Sequence, residues 1–509
     1  MSRSNPVLRN IIANYASQFY VILLGLAVVP LYLKYMGIEA YGLVGFFTML
    51  QAWMTLFDLG FAPALGREAS KFKAGEISDA TLNLFLLVLE RAFIFLGACL
   101  IFFCWISGDW VAGAWLKLSL GNQQDASTSI VIVGVIFSFR LLSGLYRSAL
   151  LGMENQVEAN VVLVFATTLR SVFVLPILIW VSNSVIAFFT FQLFATIVEA
   201  GLLKIVLRRS LPARQIEKMR WRALTELLRF SGGVAFLAWI WVATSQVDKL
   251  ILSHLLPLKE YAEFILAATV AFGVYSLVTP LQQAILPRLV IFSVQNKCAE
   301  FASLYHLTTM LMVAVVTGVA GTIAAYPQQV MYAWTGERAL AERVAEILRW
   351  YAAGTGFMAV AGMSYVLQAA KGSLGLHIKG NILSLLFLIP SLIVSTLHFG
   401  AVGAAMSWAV VNLFFLIFWT GIVHRKFLPE LTIRWFFVDV APGLCVAAAL
   451  VFSAQITTWP FTSRSVSLVA LILLALATTG IVLMIHHETR KLLFDQLSKL
   501  IVSVCRQNR

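Results

Sequence analysis

Runs of about twenty apolar residues recur from one end of this chain to the other, and that recurrence limits the possible folds more than any motif does. A helix needs about 20 apolar residues to cross roughly 30 Å of hydrocarbon. Windows of this kind fall near 11–34, 41–65, 83–106, 127–151, 158–181, 184–207, 231–256, 262–287, 305–330, 347–370, 377–398, 401–423, 438–457 and 465–486. The fold class this predicts is an all-α membrane protein with about fourteen transmembrane helices. Composition agrees, since 60% of the 509 residues are hydrophobic and only 12% are charged. A soluble enzyme with one anchor and a single-span receptor are both excluded. The first run, Ile11 to Tyr35, is longer than a signal-peptide core and lacks a small-residue cleavage site after it, so it reads as a retained span.

The cations fix an orientation. With the N-terminus in the cytoplasm, 24 of the 37 Lys and Arg fall in cytoplasmic segments, seven of them between Arg208 and Arg229. Only Lys34, Lys117, Lys259, Arg338, Arg343 and Arg464 fall outside. By the positive-inside rule both termini are cytoplasmic, and the net charge of +13 belongs to loops rather than to a nucleic-acid face. The basic stretch 208–230 reads as a linker. It separates an N-terminal six-helix lobe, 1–207, from a C-terminal six-helix lobe, 231–423. Two additional transmembrane helices, 424–487, and a cytoplasmic tail, 488–509, follow. Laying Tyr41 on Tyr261 matches the hydropathy of the two halves, as in transporters built from parallel repeats about an axis along the membrane normal. The five cysteines lie far apart or in apolar runs and read as packing residues.

Charge at bilayer depth is costly, about 2.5 to 3.5 kcal/mol or more per group, so each such residue is a functional candidate. Arg140, Ser143, Gly144 and Arg147 recur at helical spacing, which puts both guanidinium groups on one face of the fourth span. Arg170 lies in the fifth span beside Thr167 and Thr168, Arg91 lies with Glu90 in the third, and Asp248 and Lys249 are adjacent in the seventh. Neutral polar residues form stripes as well: Asn10, Asn14 and Gln18; Thr48, Gln51, Thr55 and Asp58; Tyr275, Thr279 and Gln282. Such stripes line an aqueous cavity or hydrogen-bond between helices, with Glu90 or Asp58 neutralising an arginine in the second case. A surplus of arginine in the N-terminal spans points to an anionic ligand, because guanidinium grips phosphate oxygens in a bidentate fork and stays charged throughout. A cation or drug exporter would show carboxylates in surplus.

The chain has no P-loop, no GxSxG and no HExxH, and its seven histidines are scattered, so it reads as a transporter that needs no cofactor rather than an enzyme. Without a nucleotide site, transport is driven by a gradient, by the membrane potential or by the substrate's own concentration.

The segment "VVPLYLKYMGIEAYGLVGFFTMLQAWMTLFDLGFAPALGREASKFKAGE", with Tyr41, Gly42, Asp58, Leu59, Gly60 and Arg67 as its core, resembles the opening of polysaccharide-biosynthesis flippases of the multidrug, oligosaccharidyl-lipid and polysaccharide exporter superfamily. "QVDKLILSHLLPLKEYAEFILA" is similar to the motif that opens the family's second half, although Pro257 and Ala262 stand where the first half has Gly37 and Gly42. The resemblance implies a V-shaped pair of six-helix lobes that open alternately to either side. It also implies a cargo, an undecaprenyl-diphosphate-linked oligosaccharide moved from the cytoplasmic to the periplasmic leaflet of the bacterial inner membrane for O-antigen or related surface polysaccharide. Polysaccharide polymerase machinery and membrane lipids are the implied partners. On that reading Arg140 and Arg147 hold the diphosphate, Arg91, Arg170 and Lys249 contribute, and Glu90, Asp58 and Asp248 are coupling or structural charges. The last two helices provide a groove for the prenyl tail or pack on lipid. The competing readings are a multidrug exporter of the same superfamily, a membrane-embedded glycan polymerase or acyltransferase, and an ion channel.

Overall fold

A computed structural model describes residues 6–118, 120–211, 221–456 and 463–485. Every described element is helical and no strand occurs among the described residues. This follows from the apolar runs, since a helix satisfies its own backbone hydrogen bonds where water is absent. Twelve described stretches are long and apolar enough to cross a membrane. The whole predicted cytoplasmic tail, the N-terminal five residues, residue 119, the middle of the basic linker, 212–220, and residues 457–462 lie outside the described residues.

Packing divides the chain at Ala262, into Met1–Ala262 and Glu263–Arg509. The first unit holds α1 (Pro6–Met36), α2 (Ile38–Met54), α3 (Phe61–Lys73), α4 (Asp79–Trp110), α5 (Leu120–Gly152), α6 (Gln156–Val172), α7 (Val174–Trp180), α8 (Val185–Ser210) and α9 (Trp221–Leu255). The helix α10 (Leu258–Val294) runs across the division. The second unit continues with α11 (Cys298–Ala325), α12 (Pro327–Thr335), α13 (Arg338–Ala361), α14 (Met363–Ala370), α15 (Gly375–Phe414), α16 (Thr420–Phe427), α17 (Thr432–Arg434), α18 (Ala441–Ile456) and α19 (Arg464–Ile485). The seventh apolar window, α9, packs on α2 and α3 and so belongs to the first unit, whereas the charge pattern placed the division at the basic linker before it.

In the first unit, α5 is central and is flanked by α3, α4, α6 and α8, with α1 against α6. Caps fix several helix starts: Ser78 accepts from Thr81 N and Ser184 accepts from Ala187 N. The window 41–65 is not one helix. After α2 a 3₁₀ turn spans Thr55–Asp58, then Leu59 and Gly60 take left-handed φ of 51° and 75°, and α3 begins. The Asp58 carboxylate accepts the Ala62 N–H at 3.0 Å and so stabilises the first turn of α3. A side chain on Gly60 would run into the backbone oxygen of Ser231 on α9.

In the second unit, the apolar stretch Gly375–Phe427 is 53 residues long. Gly400 has φ 58° and ψ −145°, and there the chain reverses. Ser395 and Ser407, twelve positions apart, meet at 2.8 Å between hydroxyls, and Ser407 also donates to Ser391 O at 3.1 Å. In a continuous helix twelve residues would separate them by about 18 Å. The stretch is therefore a hairpin of two helices. The window near 347–370 is absent from the twelve because α13 carries Glu346 and Arg349 within it and is broken from α14 at Gly362.

The last two helices pack on α11, with Gly318 against Ala475 and Gly443 against Thr317. A buried polar seam at the start of α11 holds this arrangement. His306 Nδ1 lies 2.5 Å from Asp439 Oδ2, Trp435 Nε1 donates to Thr309 Oγ1 at 3.1 Å, and Tyr305 Oη meets His424 Nε2 at 3.0 Å. Of the cysteines, Cys104 alone among those described is a buried packing residue; Cys99, Cys298 and Cys445 are exposed, and all four are free thiols.

Candidate functional site: an arginine cluster in the first unit

Three of the five sequence-predicted substrate residues converge. Arg140 and Arg147 stand two turns apart on α5, about 10 Å along its axis. Arg170 comes from α6, and Glu199 from α8 completes the group. The Arg170 guanidinium donates to Glu199 Oε2 at 2.7 Å, and its Nε donates to Ala166 O at 3.3 Å. Gln192 on α8 donates to the backbone oxygen of Arg170 at 2.9 Å and fixes the local backbone. Both Arg140 and Arg147 lie within electrostatic reach of Arg170 and of Glu199.

A neutral network extends the cluster towards α1. Arg147 donates to Asn160 Oδ1 at 3.3 Å, and Ser17 donates to the same oxygen at 2.9 Å. Asn160 Nδ2 donates to Asn14 Oδ1, and Asn14 Nδ2 donates to Gln156 Oε1 at 2.6 Å. One helical turn further along α1, Tyr20 and Thr168 pair their hydroxyls at 2.6 Å. Of the predicted stripe on the first span, Asn14 hydrogen-bonds to α6, joined there by Ser17 and Tyr20. Ser17 and Asn14 hold Asn160, whose side-chain oxygen accepts from Arg147.

The charges do not cancel. Three guanidinium groups face one carboxylate, and the Nε of Arg140 is buried without a hydrogen-bond partner among the described residues. Each guanidinium has five donors, and the contacts above use only a few of them. An unmatched set of rigid cationic donors in a low-dielectric interior suits an anion, phosphate above all.

The remaining sequence-predicted residues lie elsewhere. Arg91 is exposed and no hydrogen bond or ion pair among the described residues joins it to the cluster. Its neighbour Glu90 is buried and faces α8, 3.4 Å from Lys204 and 3.7 Å from Arg208. Lys249 on α9 donates to Ser245 O at 2.9 Å and pairs with the fully buried Asp248 at 3.4 Å. Asp58 is the helix-start residue described above. Glu199 and Asn160 are absent from the sequence-predicted set. Glu199 carried a readable signal, being a carboxylate inside the apolar run of the sixth span. The described residues include no group of three or more His, Cys, Asp or Glu that could hold a metal ion.

Comparison with known structures places the fold. The lipid II flippase MurJ in an inward closed conformation superposes with a TM-score of 0.71 at 14% identity, over 96% of this chain and 100% of that one. An inward-facing multidrug resistance MATE family transporter of the MOP superfamily gives 0.63 at 14% identity, over 86% of this chain and 96% of that one. A MOP superfamily transporter from Pyrococcus furiosus, described by a reverse polarity of its binding pocket that suggests a different function, gives 0.51 at 14% identity, over 88% and 97%. The fold is thus the multi-pass helical fold these structures share. No curated protein matches the chain by sequence. The family model described as polysaccharide biosynthesis protein matches residues 7–293, more than half of the chain, and the chain belongs to that family.

Proposed function

We propose that this protein is a flippase for an undecaprenyl-diphosphate-linked oligosaccharide, carrying it from the cytoplasmic to the periplasmic leaflet of a bacterial inner membrane by alternating access. The observation that carries the reading is the unbalanced charge of the Arg140, Arg147, Arg170 and Glu199 group, in a family named for polysaccharide biosynthesis. The diphosphate binds the surplus guanidinium groups in a cavity that they line, and the saccharide and prenyl chain extend from it. Arg140 and Arg147 are the principal anion ligands and Arg170 the third. Arg91 and Lys249 have weaker support, Arg91 because it stands apart and Lys249 because Asp248 neutralises it. Asp248 and Glu90, each already paired with a cation, are structural charges.

A diphosphate with about two negative charges is driven outward by an inside-negative potential, by roughly 2.3 kcal/mol per charge per 100 mV. The same field draws the emptied cationic cavity back towards the cytoplasm, so no nucleotide is needed. In this reading the flipped product passes to surface polysaccharide polymerase machinery.

The MATE likeness supports a second reading, export of cationic drugs. The surplus of guanidinium over carboxylate disfavours it, because a cation would be repelled from this group. Flipping of a fluorescent undecaprenyl-diphosphate oligosaccharide in proteoliposomes under an imposed potential decides between them. Protein-dependent flipping that the Arg140→Ala, Arg147→Ala double variant loses is the expected result. Absence of flipping with any lipid-linked sugar, together with drug efflux, would overturn it.

A further inference from the structure

The carboxylate at the centre of the cluster makes a contact that an anionic ligand would also seek. Glu199 is about 8% exposed and holds a 2.7 Å charge-assisted bond to Arg170. Arg140 and Arg147 lie within its electrostatic reach on the neighbouring helix. On its own helix, buried residues flank it in sequence, Thr196 one turn before and Leu203 one turn after. Bringing a carboxylate out of water into such a place is costly, so it stays charged there only because the guanidinium groups hold it. Three cations left without it would repel one another at short range in a dry interior.

We infer that Glu199 is the resident counter-ion of the anion site: in the empty protein it occupies the donors of Arg170, and an incoming phosphate group displaces it from them. The inference rests on the flippase reading and deepens it. With Glu199 in place the group carries a net charge of about +2, which a diphosphate matches. With Glu199 neutral the charge is about +3, and a bound diphosphate would be held too tightly to leave. The carboxylate therefore sets affinity low enough for release, returning to Arg170 as the ligand departs. Glu199 is a positioning residue in this scheme, since it need not touch the ligand.

The experiment compares wild-type protein with Glu199→Gln, Glu199→Asp and the Arg140→Ala, Arg147→Ala double variant, all in lipid nanodiscs. Binding of two probes is measured, inorganic pyrophosphate and a short-chain prenyl diphosphate, alongside flipping in proteoliposomes. Glu199→Gln is expected to tighten prenyl-diphosphate binding by about tenfold or more while slowing turnover. Glu199→Asp, which keeps the charge, is expected to retain wild-type affinity, and it guards against misfolding of the Gln variant. Tightening for both probes assigns the site to diphosphate as such; tightening for the prenyl probe alone assigns it to a lipid headgroup. If Glu199→Gln leaves both affinities unchanged while the double arginine variant loses binding, the counter-ion role is wrong and the anion site stands. If wild-type protein binds neither probe, the anion site and the counter-ion role fall together.

Discussion

Arg140 and Arg170 carry the same charge in the same cluster, yet their surroundings predict opposite responses to removal. Arg170 is bonded to a buried carboxylate, so Arg170→Ala strands Glu199 and should cost about 3 to 5 kcal/mol of stability. Arg140 has a buried Nε with no hydrogen-bond partner among the described residues, and its cationic neighbour raises the cost of keeping it. Arg140→Ala should therefore leave stability unchanged or raise it, as expected for a group retained for binding. Thermal unfolding of the two variants in detergent micelles distinguishes them; equal losses would show that both arginines are structural. From the sequence Asp58 is expected to be a coupling or a structural charge; its carboxylate accepts the first-turn N–H of α3, and the motif Asp58–Leu59–Gly60 is a helix break. Periodicity cannot register such a break, because Leu59 and Phe61 are as apolar as the helix they interrupt.

At the level of elements, the hairpin at Gly400 is the clearest case of one backbone position deciding an architecture. The combination φ 58°, ψ −145° lies close to a region open essentially to glycine alone. Gly400→Val should cost about 1 to 3 kcal/mol and loosen the pairing of Ser395 with Ser407. A lowered midpoint of thermal unfolding, with a cysteine pair at 395 and 407 no longer cross-linking efficiently, is the expected outcome. Efficient cross-linking and an unchanged midpoint would show that the turn tolerates a side chain. The C-terminal pair of helices shows the same dependence on contact. Hydropathy presents α18 and α19 as featureless spans, and the structure docks them on α11 through small residues and through the buried His306 and Asp439 pair. The alternatives of prenyl groove and lipid-facing packing concern the outer surface of these helices; their inner surface is committed to α11.

For the whole molecule, the cation distribution makes a prediction that needs no structural detail. With 24 cations on one side and six on the other, reporters fused within 212–220 should report a cytoplasmic position, and reporters within 457–462 a periplasmic one. Periplasmic activity of a fusion in the basic linker would invert the orientation and with it the direction of the field on a bound diphosphate. The division of the chain, by contrast, is not where the charge is. The basic linker is conspicuous in sequence because it is polar, whereas packing draws α9 into the first unit through its contacts with α2 and α3.

The sequence by itself determined the helical class, the approximate positions of the spans and the excess of arginine, because each depends on composition along the chain and on the cost of moving polar groups into hydrocarbon. Tertiary structure alone decided which charges meet. Arg140 and Arg147 share a face by helical periodicity, and so they were legible together. Arg170 and Glu199 lie 29 positions apart on different helices, and only the packing of α5, α6 and α8 sets them against that face. The same packing separates Arg91 and Lys249 from the group, although their hydropathic context is identical. Burial cost falls on each residue singly and can be read locally, whereas electrostatic pairing depends on distances that the fold alone sets.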